Sequence, residues 1–298
     1  MKKTLGTLTL ISALGFTLPG CQNQKSITEN TEVKISAADS SVLATAQLLG
    51  QDSSEINFIW YGRRLGYVNR MADAIGIFSA GIKKYPDSWK LYRFRGHRYI
   101  STRDFKSAIV DLEKAAALMK HTAPELEPDG IPNKINTPLS TYQYNVWYHL
   151  GLAYYLTGNL NDAEVSFKNC LRRSDNDDLL VASSDWLYMI YRQLNNKTAA
   201  TEILKRINDN MNIIENDSYY LRLKMYQGKL NPEKLLTSDT TASDYDLSIA
   251  TQGYGVANWY FYNGNKTKAK DILQKITSGK STYSFGYIAA ETLLAGGY

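Results

Sequence analysis

The stretch Trp147–Cys170, WYHLGLAYYLTGNLNDAEVSFKNC, carries a pattern of large and small residues that recurs along the chain. Trp147, Leu150, Gly151 and Tyr154 have the three-to-four residue spacing of one helical face. Ala163 and Phe167 stand four apart on a second such segment. Gly158-Asn159 marks a turn between them. The pattern describes two short helices that cross closely. Small residues at Gly151 and Ala163 let the backbones approach, and Trp147, Leu150, Tyr154 and Phe167 fill the space beside them.

In this order and spacing the residues resemble the tetratricopeptide repeat (TPR) family, lacking only the closing proline, where Asp175 stands. The resemblance implies an all-α fold, a helix-turn-helix solenoid wound as an α-α superhelix. The same register starts near Glu55, with Phe58, Gly62, Leu65, Ala74, Phe78 and Pro86. One repeat length of 34 residues on stand Tyr92, Gly96, Tyr99, Ala108 and Leu112. The third unit is due near 123 but begins near Tyr144. Residues 123–143, APELEPDGIPNKINTPLSTYQ, are therefore an insert. It holds prolines 124, 128, 132 and 138, which exclude a regular helix. A long ordered loop in a compact fold is often functional.

A fourth unit covers 181–210 through Trp186, Leu187, Tyr191, Ala200, Leu204 and Ile207, with a turn at Asn195-Asn196. A degenerate helix pair follows, with Tyr219, Leu223 and Tyr226, then Leu235-Leu236. A last unit runs from about 250 with Val256, Ala257, Tyr260, Gly264, Ala269 and Leu273. Tyr283 to Leu294 is expected to close the solenoid, whose ends need caps. Cys170, at a packing position, reads as a small core residue.

The N-terminus has a targeting layout. Lys2 and Lys3 precede a short apolar run, Leu5 to Leu18, and Pro19-Gly20-Cys21 follow. Leu18-Pro19-Gly20-Cys21 resembles a bacterial lipobox, which implies cleavage before Cys21 and its acylation. The run is too short to span a membrane, so the anchor would be the lipid. Gln22 favours the outer membrane by the same resemblance. The expected organisation is a signal peptide over 1–20 and a flexible tether over 21–52, helical at most over 42–49. TPR units 1–2 cover 53–122, the insert 123–143 and units 3–4 144–211. Degenerate repeats and a capping helix complete 212–298. The 298 residues are 44% apolar and 21% charged, the composition of a globular chain. The net charge is +5, or +3 without Lys2 and Lys3, too mild to imply nucleic acid.

The segment Trp186–Leu294 also resembles the NlpI-like lipoproteins, through Trp186-Leu187-Tyr188, Ala200, Leu204, Tyr260-x-Tyr262-x-Gly264 and Ala269. Those are periplasmic TPR adaptors for proteases and cell-wall hydrolases. Arg93–Arg103 and Glu127-Pro128-Asp129-Gly130 depart from that pattern, which leaves the client open.

The first helix of each unit lines the concave side at its positions 2, 5, 6, 9 and 13. Unit one places Ile56, Ile59, Trp60, Arg63 and Tyr67 there. Unit two places Lys90, Arg93, Phe94, His97 and Ser101. Unit three places Asn145, Tyr148, His149, Leu152 and Leu156. The expected peptide groove is Trp60, Arg63, Tyr67, Lys90, Arg93, Phe94, His97, Tyr148 and His149. Guanidinium forks grip carboxylates and aromatic faces add apolar area, so the set suits an acidic peptide or a free C-terminus. The arginines have a second candidate partner within the chain, the acidic insert at Glu125, Glu127 and Asp129. The two combine if the insert is a lid that a ligand displaces. Arg93, at position 5, is expected to bind the client with little effect on stability; a stabilising role would assign it to Glu127 or Asp129.

His97, His121 and His149 lack metal-ligand spacing. Asp175, Asp177 and Asp178 read as a solvated loop, without the Gly and Glu of a calcium loop. No catalytic or cofactor motif is present. The leading expectation is a non-catalytic adaptor. The alternatives are a glycan-binding surface lipoprotein, on its Tyr and Trp faces, and an enzyme with an unrecognised site.

Overall fold

The computed structural model describes residues 36–128, 133, 135–237 and 245–296. The targeting segment, Cys21 and Asp129 lie outside the described residues. Among the described residues the chain is all-α, with an isolated bridge between Leu126 and Thr141 as its one β feature. The helices are α1 (Ala37–Gln51), α2 (Glu55–Tyr67), α3 (Met71–Lys84), α4 (Trp89–Ser101), α5 (Phe105–Leu118), α6 (Tyr142–Leu156), α7 (Leu160–Arg172), α8 (Asp177–Gln193), α9 (Lys197–Leu204), α10 (Asp217–Tyr226), α11 (Tyr245–Tyr262), α12 (Lys266–Thr277) and α13 (Phe285–Ala295). A 3-10 turn, Pro232–Leu236, follows α10 in place of a second α-helix.

Each unit turns between its helices through one residue in the left-handed region. These are Asn69, Arg103, Gly158, Asn195 and Gly264, with φ of 62, 65, 77, 55 and 89°. Gly and Asn accept this conformation at low cost. The next residue but one begins the second helix. In four of the units a capping side chain precedes it, and Asp104, Asn159, Asn196 and Asn265 each accept from a backbone N–H three residues on. Asn69 and Arg103 are one 34-residue period apart, which fixes the register of the first two units.

The close approach is made by glycine against a large residue sixteen positions later. A Cβ at Gly62 would sit 2.4 Å from the Phe78 ring, one at Gly96 2.7 Å from Leu112, and one at Gly151 2.8 Å from Phe167. Ala74, Ala108 and Ala163 are wholly buried at the matching contact on the second helix.

Three expectations change. Residues 37–51, expected as tether apart from 42–49, form α1, whose Val42 is buried in the first-unit core. Leu152 and Leu156, expected on the concave face, are in the core. α11 approaches the neighbouring turn of α6, where Tyr254 meets both Tyr155 and Trp186. Asp178 is not solvated: it is buried and accepts from the backbone N–H groups of Ile214, Glu215 and Asn216, ordering the approach to α10. Cys170 is a buried core thiol, its pKa pushed up by burial. No helix among the described residues is long and apolar enough to cross a membrane.

The superhelix meets itself. Arg103, in the α4–α5 turn, reaches Glu291 on α13 at 2.8 Å and donates to the Thr282 carbonyl at 2.8 Å. Phe285, at the start of α13, has its ring centroid 5.4 Å from that of His97, tilted, and 5.5 Å from that of His149, edge to face.

Candidate ligand-binding site

The first helices α2, α4, α6 and α8, with α10 and the start of α13, surround a cavity of about 680 Å³. Seven of the nine expected groove residues line it: Arg63, Tyr67, Arg93, Phe94, His97, Tyr148 and His149. The helical period brings them together because positions 5, 6 and 9 project to one side of each first helix. Trp60 stands just outside, its ring 4.9 Å from the Arg63 guanidinium. Lys90 is not in this cavity. It lies in the first turn of α4, 2.6 Å from Glu125, beside a separate cleft with Trp89 and Glu55.

The insert occupies the cationic end. Glu127 is buried, 3.0 Å from Arg93 and 4.0 Å from Arg63, and accepts from Asn145 at 2.9 Å. Arg63 also donates to the Pro128 carbonyl at 2.7 Å. The Glu127 N–H donates to the Ser140 carbonyl, which ties the two ends of the insert together. Farther along, Asn133 donates to Glu215 at 2.9 Å and Leu139 accepts from Asn176. The described insert thus crosses the concave face from α2 and α4 to the approach of α10. Arg93 is only 4% exposed, so it is not the free groove cation expected at position 5. Its pKa is lowered by burial, against the pull of Glu127.

Beyond Glu127 much of the wall is aromatic. Tyr148 accepts from the Trp186 indole at 2.7 Å and shares a 2.7 Å hydroxyl contact with Tyr219. His97 and His149 lie with ring centroids 4.3 Å apart. Both imidazoles are held well below their usual pKa: His97 by burial and then Arg98, His149 by burial and then Arg93. Neutral His149 donates from Nδ1 to the Asn145 carbonyl at 2.6 Å, which leaves Nε2 a buried acceptor without a partner. Arg98 donates to His97 Nδ1 at 2.8 Å, which puts the His97 proton on Nε2.

The sequence reading missed Arg64, Arg98, Glu215, Tyr219 and Phe285, all of which line the cavity. Arg98 follows His97 on α4 and sits just past the expected face. A usable signal existed in Gly66, where a Cβ would meet Arg98 Nη1 at 2.5 Å. Among the described residues no group of three His, Cys, Asp or Glu could hold a metal ion.

Residues 144–177 match the tetratricopeptide repeat family model. No curated protein sequence matches the chain. A tetratricopeptide repeat protein from Parabacteroides merdae superposes with a TM-score of 0.51 at 13% identity, covering 86% of this chain and 92% of that one. PilW, a type IV pilus biogenesis factor, gives 0.48 at 12%, covering 86% and 90%. YrrB, a TPR protein with an unusual peptide-binding site, gives 0.44 at 13%, covering 85% and 99%. The fold is an all-α TPR solenoid, the kind of scaffold on which protein-interaction surfaces are built.

Proposed function

We propose that this chain is a lipid-anchored adaptor of the bacterial periplasm that binds an acidic segment of a protein client on its concave face. The observation that carries the proposal is the burial of Glu127 between Arg93 and Arg63. These guanidiniums already hold a carboxylate, and it comes from a loop outside the repeat lattice. An acidic side chain or C-terminus of a client would compete for the same forks, with Phe94 and Tyr67 supplying apolar contact. The insert then acts as an internal occupant that the client displaces. The lipobox at Leu18–Cys21 supports acylation of Cys21, and Gln22 supports the outer membrane. The resemblance to NlpI-like proteins over 186–294 supports a protease or a cell-wall hydrolase as the client class.

The test is a pull-down from periplasmic extract with the tagged chain, its Glu127→Gln variant and a deletion of 125–140. A client captured by competition is held more tightly by both variants and is released by high salt. Equal capture by all three, at every salt concentration, would move the binding surface off this face. Cys21→Ser tests the anchor, because the unacylated chain should partition into the soluble fraction.

A further inference from the structure

Each of the buried arginines Arg93 and Arg222 has a carboxylate within 3.0 Å, Glu127 and Asp185 respectively. Arg98 is different. Its partners among the described residues are the His97 imidazole at 2.8 Å and the Met71 sulfur at 3.6 Å, both neutral. No carboxylate lies within ion-pair distance of this half-buried guanidinium, although Glu127 acts on it from farther off, and a poorly solvated cation without a close partner is costly; its pKa is pushed down to about 10 by burial and then by Arg93. Two further polar atoms beside the same cavity are buried and unpartnered, Arg93 Nε and His149 Nε2. His97 and His149 lie in tilted contact, so the cation and the orphaned acceptor flank one pair of rings. Phe285, in contact with both imidazoles, and Tyr148, in contact with His149, continue the same lining.

We propose that this chamber is a small-molecule site for an aryl carboxylic acid. The carboxylate would pair with Arg98, with the His97 Nε2–H as a second donor. The ring would lie against Phe285 and Tyr148. The volume suits such a ligand, since about 680 Å³ falls within the range of small-molecule pockets and holds far less than a folded segment. The ligand fits with the insert in place, because the cavity exists with Glu127 already seated in its lining beside Arg63 and Arg93. The site is thus the deep end of the concave face proposed above for the client, but its occupancy does not depend on a client or on displacement of the insert.

The chain's three histidines make the test selective. His97 and His149 line the chamber and His121 is exposed on the α5–α6 connection. The full chain is titrated with 4-hydroxyphenylacetate while the imidazole ring resonances are followed by NMR. Saturable shifts at His97 and His149 with His121 unmoved are expected. The uncharged 4-hydroxyphenylacetamide should bind roughly tenfold more weakly or worse, since it forfeits a charge-assisted bond. Arg98→Gln should reduce acid binding to the level of the amide. The acid and amide pair needs only the natural chain, so the comparison stands if Arg98→Gln does not fold. Equal binding of acid and amide, no saturation at His97 and His149, or parallel movement of His121 would overturn the assignment. A tyrosine-ended peptide that binds where the free acid does not would also overturn it, while leaving the client proposal intact. Loss of the client with the acid still bound separates the two in the other direction.

Discussion

The Arg93 guanidinium on α4 lies 3.0 Å from the Glu127 carboxylate of the insert, and both side chains are almost wholly buried. Thirty-odd residues of sequence and one complete helix, α5, separate the partners. The contact therefore reports on the insert's docking rather than on the repeat lattice.

Removing one partner of such a pair leaves an uncompensated charge in a poorly solvated place. Glu127→Gln should destabilise the chain by about 3–5 kcal/mol. Arg93→Met together with Glu127→Leu should lose much less than the sum of the singles, because an apolar pair of similar volume avoids both desolvation costs. Urea denaturation of the four proteins in the cycle checks this. Strict additivity would show that Arg93 draws its stabilisation from elsewhere.

Gly151 touches the Phe167 ring so closely that even a methyl group does not fit. Gly151→Leu should cost about 1–3 kcal/mol or more through overpacking. Ala163→Leu, at a wholly buried contact on α7, should cost a similar amount. Gly151→Ala combined with Phe167→Leu should recover part of the loss, since the second change makes room for the new Cβ. Melting curves that ignore all three variants would place the helix contact at another register.

These contacts were legible in the sequence because they are periodic. A glycine and its large partner stay sixteen residues apart in three successive units, and the left-handed turn residue lies between them each time. The helical period likewise brought Arg63, Phe94, His97 and His149 to one side without any knowledge of the superhelix. What the period could not carry is contact between distant units. Phe285 reaches His97 only because the solenoid winds far enough for α13 to return to α4. Glu127 reaches Arg93 through a proline-rich loop that has no period at all. Lys90 fell away for a simpler reason: it lies in the first turn of α4, where Glu125 meets it before it can reach the interior.

The two adjoining imidazoles predict a pH dependence. Burial and the guanidiniums of Arg93 and Arg98 keep His97 and His149 neutral in the folded chain. In the unfolded chain each takes up a proton near pH 6.5. A base with a depressed native pKa contributes stability that is present above about pH 6.5 and is lost as pH falls below it. The loss approaches about 1.4 kcal/mol per histidine for each pH unit. Thermal melts from about pH 8 to about pH 5 should show this decline. The double variant His97→Asn, His149→Asn should flatten it. A full slope in that variant would assign the acid sensitivity to carboxylates instead.

Arg103 joins the two ends of the superhelix from a backbone conformation that suits arginine poorly. Its φ is 65°, at the turn where the four other units place Gly or Asn. Its side chain bonds Glu291 and the Thr282 carbonyl, both at 2.8 Å. Arg103→Asn keeps a residue that tolerates the left-handed region and deletes both closing bonds. The pair is partly exposed, so the expected change in global stability is small, about 1 kcal/mol or less. The local effect should be larger. Amides of α13 are held toward α4 chiefly by this contact and by Phe285, and they should exchange faster in Arg103→Asn while those of α6 and α8 keep their protection. Phe285→Ala should add to the effect and enlarge the cavity, since the ring closes the chamber beside His97 and His149. Unchanged exchange across 285–295 in the Arg103 variant would mean that α11 and α12 alone hold the last helix in place. The chamber would then owe its closed end to packing within the final unit, and not to the meeting of the two ends.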